Sequence, residues 1–216
     1  MSVVSWAIFF RKSRQLRRAQ AQSRAFLEAF GYRRNINDYQ ELARLFPASP
    51  LVSLLGSAVE EWHSLQREFC NWNVELFGQL ITNITEAMER ANSRVTEQLE
   101  SSLSFLAITT MVAPFLGLLG TVQGVLRTFL SLRGAQLPTL QLIAPGISDA
   151  LVTTVMGLLV AIPAAFFYNY FVSKVKSLQT EMERFTSELT GLFRLEMYRL
   201  LTSEDKGTTK RYIDEP

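Results

Sequence analysis

The chain has 216 residues and carries 22 Lys and Arg against 20 Asp and Glu, a net charge of +2 that supplies no basic field for nucleic acid. A single cysteine, Cys70, excludes an intrachain disulfide and a cysteine metal cluster, and a single histidine, His63, leaves no His-rich metal site or internal His pair. Charge makes up 19% of the chain but is absent from residues 101–126 and 150–173, and each run exceeds the roughly 20 residues that cross a bilayer as a helix. These runs predict an all-α integral membrane protein with a large polar portion.

Residues 2–10 (SVVSWAIFF) are apolar but cover only about half a span. Charges follow this segment rather than precede it, so it is not a signal peptide. It ends at Arg11, Lys12, Arg14, Arg17 and Arg18, a cytoplasmic stop flank. Two explanations stand at this point: an interfacial anchor, or the C-terminal half of a first span whose upstream half lies before this start site. Residues 11–100 then hold twelve Lys or Arg, and 174–216 hold eight, whereas the segment between the two long runs holds only Arg127 and Arg133. The positive-inside bias makes both polar segments cytoplasmic. The expected division is therefore a first membrane segment at 1–10, a cytoplasmic helical region at 11–100 and a second span at 101–130. A periplasmic hairpin at 131–146, a third span at 147–173 and a cytoplasmic helix and tail at 174–216 complete it.

The polar segments carry helical stripes. Apolar or small residues recur from Trp62 through Leu80, Ile84, Met88 and Ala91 to Leu99 at the spacing of a straight helix, and the stripe continues from Leu99 into Leu103 without a proline or glycine. This predicts one helix running from the cytoplasm into the membrane, after a break at Pro47 and Pro50. Beyond the third span the stripe is Phe171, Val175, Leu178, Met182, Phe185, Leu189 and Leu192. Such faces pack on each other and on neighbouring subunits. Trp62, His63, Cys70 and Trp72 lie on or beside the first stripe and read as packing residues.

The spans themselves are rich in small residues. Gly117, Gly120 and Gly124 with Pro114 mark the second, and Thr153, Thr154, Gly157, Ala161 and Pro163 the third. Small residues let helix backbones approach closely, so Gly117, Gly120, Gly124, Gly157, Pro114 and Pro163 are read as helix-packing positions. With the hairpin centred near Pro138, Thr121 lies 17 residues before it and Thr154 lies 16 after. Antiparallel helices then place both hydroxyls at nearly one depth. Such a threonine either satisfies its own helix one turn back or contributes to a polar ring inside an oligomer. Asp149, the one acid between Glu100 and Glu181, is either a first-turn acid favoured by the helix dipole after Pro145, or a cation attractor at a pore mouth.

Residues 114–124 (PFLGLLGTVQG), 144–154 (APGISDALVTT) and 157–165 (GLLVAIPAA), in this order, resemble the TolQ/ExbB branch of the MotA/TolQ/ExbB proton-channel family. The resemblance is strong over residues 100–172, and residues 5–8 (SWAI) with their basic flank are similar to the end of the family's first span. It implies a three-span protein of the bacterial inner membrane, assembled as a homo-pentamer around a dimer of a single-span ExbD/TolR-like partner. It further implies that Thr121 and Thr154 line the proton pathway, that Asp149 is the acid near its outer mouth, and that the partner brings the proton-binding aspartate. Proton flow would drive work at the outer membrane through a TonB- or TolA-like transducer, in the Tol-Pal or the Ton manner. Three departures stand out: Asp149 where the family usually has glutamate, Gln123 where it more often has a bulky apolar residue, and a first span cut to half length. Under this resemblance a missing upstream half is the better explanation of the last. The competing class is a non-conducting scaffold whose threonines face neighbouring backbone. No cofactor and no enzyme chemistry is expected, since an aspartyl protease needs two intramembrane acids and a serine or zinc site wants a histidine.

Overall fold

The structure, a computed structural model, describes residues 2–33, 39–68, 74–132 and 139–213. Its elements are helices: α1 (Ser2–Arg33), α2 (Tyr39–Leu45), α3 (Pro50–Glu68), α4 (Val74–Glu100), α5 (Leu103–Ser131) and α6 (Leu140–Ile213). The chain divides into two compact units. One is built from residues 1–14 and 100–174, the other from 15–99 and 175–216.

The second unit is an ordinary water-exposed helical bundle with its own core. Phe26 and Phe30 of α1 stack at 5.7 Å, and Phe185 of α6 meets each of them edge-on at 5.5 Å. Trp62 of α3 lies 5.6 Å from Phe193. Leu54, Leu55 and Ala58 of α3 and Leu80, Ile84 and Met88 of α4 complete a single cluster. The stripe on α4 is therefore the buried face of an amphipathic helix. On α6 the buried row runs through Phe185 and Leu189 to Phe193 and Met197, with Leu192 only partly buried. The row thus steps by four at its end and follows a straight helix rather than a heptad seam.

The connection between α2 and α3 shows how the two prolines work. The position before Pro47 is pushed away from helical geometry, and Pro50 opens α3, where its missing N–H would have had no partner. Phe46 N–H donates to the Leu42 carbonyl at 3.0 Å and Ser49 N–H to the Phe46 carbonyl at 3.0 Å, closing the turn. Two bonds tie that turn to α1: Ala48 N–H donates to Gln22 Oε1 at 2.6 Å, and the buried hydroxyls of Ser23 and Ser49 lie 3.3 Å apart.

Two expectations about continuity are corrected. The helix expected to run unbroken into the membrane is interrupted by a turn at Ser101 and Ser102, between α4 and α5. Ser102 sits at φ −105°, ψ −4°, and adjacent serines offer the backbone alternatives to helical bonds. The second difference is at α6, which begins at Leu140 rather than at Pro145 and includes that proline within it. Leu140, Leu142 and Ile143 extend the apolar pattern upstream, and the helix forgoes only the bond that position 145 would have given the Gln141 carbonyl. Asp149 therefore lies beyond the second turn of α6, and the first-turn reading of it does not hold.

In the first unit α5 and α6 are the helices long and apolar enough to cross a bilayer, with windows of mean hydropathy 1.9 and 2.2. Only 22% and 17% of those windows is buried in the chain. A soluble core helix would be mostly covered, so these faces call for lipid or other protein chains. The first turns of α1 pack on α6 through aromatic rings: Phe9 stacks on Phe167 at 4.2 Å, Trp6 meets Phe167 edge-on at 5.0 Å, and Phe9 reaches the buried Phe171 at 5.7 Å.

In the second unit Glu181 lines a groove with Gln20, Arg24, Arg184 and Glu188. Burial raises its pKa above the ordinary 4.5, and the attraction of Arg24 only partly offsets this. A raised acid favours the folded state while protonated and loses that contribution as pH rises through its folded value. Glu181→Gln and the wild type should therefore unfold alike at and below about pH 4. The variant should become the more stable of the two as pH rises toward neutrality, as thermal unfolding in detergent across that range will show.

Candidate functional site

The site is built where α5 and α6 run side by side in the first unit. Positions pair along the two helices in descending register: Gly117 with Gly157, Gly120 with Thr153, Gly124 with Ala150, and Thr128 with Gly146. A Cβ on Gly157 would stand 2.7 Å from the Ala113 carbonyl oxygen, and one on Gly117 would stand 3.0 Å from the Thr153 carbonyl oxygen. At Gly124 it would meet the Ala150 Cβ at 2.7 Å, and at Gly146 it would run into the Thr128 hydroxyl. The helices touch backbone to backbone, and only residues without a side chain permit that approach.

Besides Thr128, three threonines lie at or beside this seam. Thr121 donates its hydroxyl to the Leu118 carbonyl of its own helix at 2.7 Å. Thr154 donates across to the Gly117 carbonyl at 3.4 Å. Thr153 has two acceptors, the Ala150 carbonyl at 2.7 Å and the same Gly117 carbonyl at 3.2 Å. The register is offset by about one residue from that expected from the sequence, so Thr121 is level with Thr153, and Thr154 with Gly120. Thr121 and Thr154 remain within one residue of the same depth, about 1.5 Å along the axis.

Thr153 was not among the candidate pathway residues. Symmetry about the hairpin singles out one hydroxyl per helix, and Thr153 stands in the sequence only among the small residues that mark the third span. The informative signal was the glycine spacing: Gly117, Gly120 and Gly124 define a face whose partner positions include Thr153.

The remaining candidates lie apart from this node. Asp149 and Gln123 are exposed. Pro114 and Pro163 are partly buried inside α5 and α6. Each removes one N–H and leaves the carbonyls of Thr110 and Leu159 without their usual helical donor. In the basic flank Lys12 is buried, 2% exposed, and burial first and the neighbouring Arg11 second pull its pKa below 10.5. Among the described residues no group of three His, Cys, Asp or Glu could hold a metal.

The glycine seam makes a sharp contrast testable. Gly157→Ala places its methyl against backbone that cannot step aside and should destabilise the protein by about 1–3 kcal/mol. Gly191→Ala adds its methyl where nothing lies within 4 Å. It should stabilise α6 by about 0.5–1 kcal/mol, the helix-propensity difference, and unfolding of both variants in detergent measures the two together.

Residues 61–184 match the model of the MotA/TolQ/ExbB proton channel family. The chain is 32% identical over 201 residues to the Tol-Pal system protein TolQ of Haemophilus influenzae, covering 91% of this chain and 86% of that protein. It is 31% identical over 206 residues to the protein of the same name from Pseudomonas aeruginosa, covering 94% and 86%. It is also 32% identical over 181 residues to the biopolymer transport protein ExbB of Salmonella typhimurium, covering 82% and 70%. A family match over more than half the chain, with relatives aligned across both apolar helices and the glycine seam between them, settles the membership: the chain belongs to the MotA/TolQ/ExbB proton channel family.

Proposed function

We propose that the chain is the channel-forming subunit of an inner-membrane complex that couples the proton gradient to work at the outer membrane. The complex is of the Tol-Pal or the Ton type, as the names of its relatives suggest. Its apolar helices carry exposed Leu119, Val122, Met156 and Leu159 on every side of the seam. A homo-pentamer in lipid covers such surface, and an enclosed interior would receive a dimer of an ExbD/TolR-like single-span partner. A TonB- or TolA-like transducer would carry the work onward. Residues 1–10, 101–130 and 147–173 would be its membrane segments, with the third helix continuing outward to Leu140, and 11–100 and 174–216 would lie in the cytoplasm.

The observation that carries the reading is the pair Thr121 and Thr154, hydroxyls at nearly one depth in two largely apolar helices. Between Glu100 and Glu181 the chain has one acid, Asp149, which would attract protons at the outer mouth, so the titrating carboxylate of the path belongs to the partner. In a low-dielectric interior that carboxylate has a raised pKa, and threonine hydroxyls or water stabilise its ionised form. Moving one proton across 100 mV is worth about 2.3 kcal/mol, enough to bias one step of a rotation. Gly117, Gly120, Gly124, Gly157, Pro114 and Pro163 would hold the helices in the geometry that presents these hydroxyls.

One observation favours a second reading, the non-conducting scaffold. Both threonines donate to backbone carbonyls, as packing residues do. A hydroxyl that donates keeps its lone pairs, however, and still accepts from water or a protonated acid. The two readings part in one experiment. Proton flux is measured in vesicles holding the complex of this chain with an ExbD/TolR-like single-span protein, for wild type and for Thr154→Val. The channel reading expects flux that requires both proteins and is lost in the variant while the oligomer still assembles. Equal flux in wild type and variant would contradict the assignment of Thr154.

A further inference from the structure

We infer that Thr153 is a positioning residue for the pathway, which acts by competing with Thr154 for the Gly117 carbonyl. The inference rests on the reading of Thr154 given above and adds to it the device that sets the position of that hydroxyl.

The Gly117 carbonyl is approached by two hydroxyl donors, Thr153 at 3.2 Å and Thr154 at 3.4 Å. Each hydroxyl has one proton to give. Thr153 holds a shorter alternative on its own helix, the Ala150 carbonyl at 2.7 Å, so it moves between two acceptors without ever losing a partner. Thr154 has its bond to Gly117 at a length where hydrogen bonds are weak. When Thr153 gives its proton to Ala150, the Gly117 carbonyl is left to Thr154, whose hydroxyl is then anchored to the helix pair. When Thr153 turns to Gly117, that carbonyl is served and the Thr154 hydroxyl is released toward water or a passing carboxylate. One lone pair of the Gly117 carbonyl takes the Thr121 N–H of its own helix, which leaves one for the two hydroxyls and makes release of Thr154 depend on its neighbour.

Gly120 supplies the room for this exchange. The Thr153 side chain lies against it so closely that a Cβ there would stand 2.6 Å from Thr153 Oγ1 and 2.7 Å from its Cβ. The β-branched side chain has few rotamers to retreat into. The pairing of Gly120 with Thr153 therefore holds Oγ1 within reach of both carbonyls, so that only its proton turns from one to the other.

The test uses the same vesicles and complex, with Thr153→Val, Thr153→Ser and Thr153→Ala beside Thr154→Val. Loss of the competing donor anchors Thr154, so proton flux in Thr153→Val should fall about fivefold, the worth of one ordinary hydrogen bond, with the oligomer intact. Thr153→Ser restores the hydroxyl and should conduct as wild type. If the valine variant does not assemble, the serine and alanine variants make the same comparison, with loss expected for alanine alone. Wild-type flux in Thr153→Val or Thr153→Ala, with flux lost in Thr154→Val, overturns the inference and leaves the pathway standing. A serine variant as impaired as the alanine one overturns it too, because the methyl and not the hydroxyl then matters. Undiminished flux in Thr154→Val removes the pathway reading itself, and with it the inference.

Discussion

The close approach of α5 and α6 is the constraint on which the membrane unit depends. A hydroxyl on one helix can reach a carbonyl on the other only if the two backbones nearly touch. That is the situation at Gly117 and Gly157, where a Cβ would fall 2.7–3.0 Å from a carbonyl oxygen of the facing helix. Small side chains here do more than fill space. They bring a carbonyl of α5 within reach of α6 donors, and so create a polar point between two largely apolar helices. Everything argued about Thr121, Thr153 and Thr154 follows from that contact.

The same constraint explains why the isolated chain looks incomplete. Helices that pack through a narrow seam of glycine and alanine keep their large side chains on the outside. Phe115, Leu119, Leu151 and Met156 are all well exposed. In a soluble protein this surface would aggregate; in a bilayer it faces lipid or neighbouring copies. The water-exposed unit is built on the opposite rule, with Phe26, Phe185 and Phe193 fully enclosed and charges on the outer faces. Two solvents have selected two kinds of packing within one polypeptide, and α1 and α6 contribute residues to both units.

Much of this was legible before any coordinates. Uncharged runs fix the spans because a buried charge in lipid is so unfavourable, and the stripe through Ile84 and Met88 fixes a buried face because helical periodicity leaves little choice. What failed was local. The serines at 101 and 102 interrupt a helix that periodicity alone carries through, since a side-chain hydroxyl competing for the backbone leaves the apolar spacing untouched. Pro145 suits a helix start, whereas an apolar extension to Leu140 outweighs one missing bond, and Asp149 lies beyond the first turn as a result. Leu192 yielded to Phe193 because a straight helix drifts from a heptad row by one position over several turns. At the seam, a hairpin centred near Pro138 gives the depth of Thr121 and Thr154 to within a residue. Only the facing partner of each glycine brought Thr153 to the Gly117 carbonyl.

The central claim is that water reaches the threonine level of the assembled complex on the side that Thr121 and Thr154 share. Single cysteines at positions 121, 154, 119 and 156, introduced after replacing Cys70 by alanine, can be tested for reaction with a small water-soluble thiol reagent. Leu119 and Met156 are exposed in the single chain and point about 200° around their helices from the two threonines. In a complex that conducts protons, the account predicts rapid reaction at 121 and 154 and protection at 119 and 156. Cysteines at 121 and 154 that react no faster than those at 119 and 156 would contradict it.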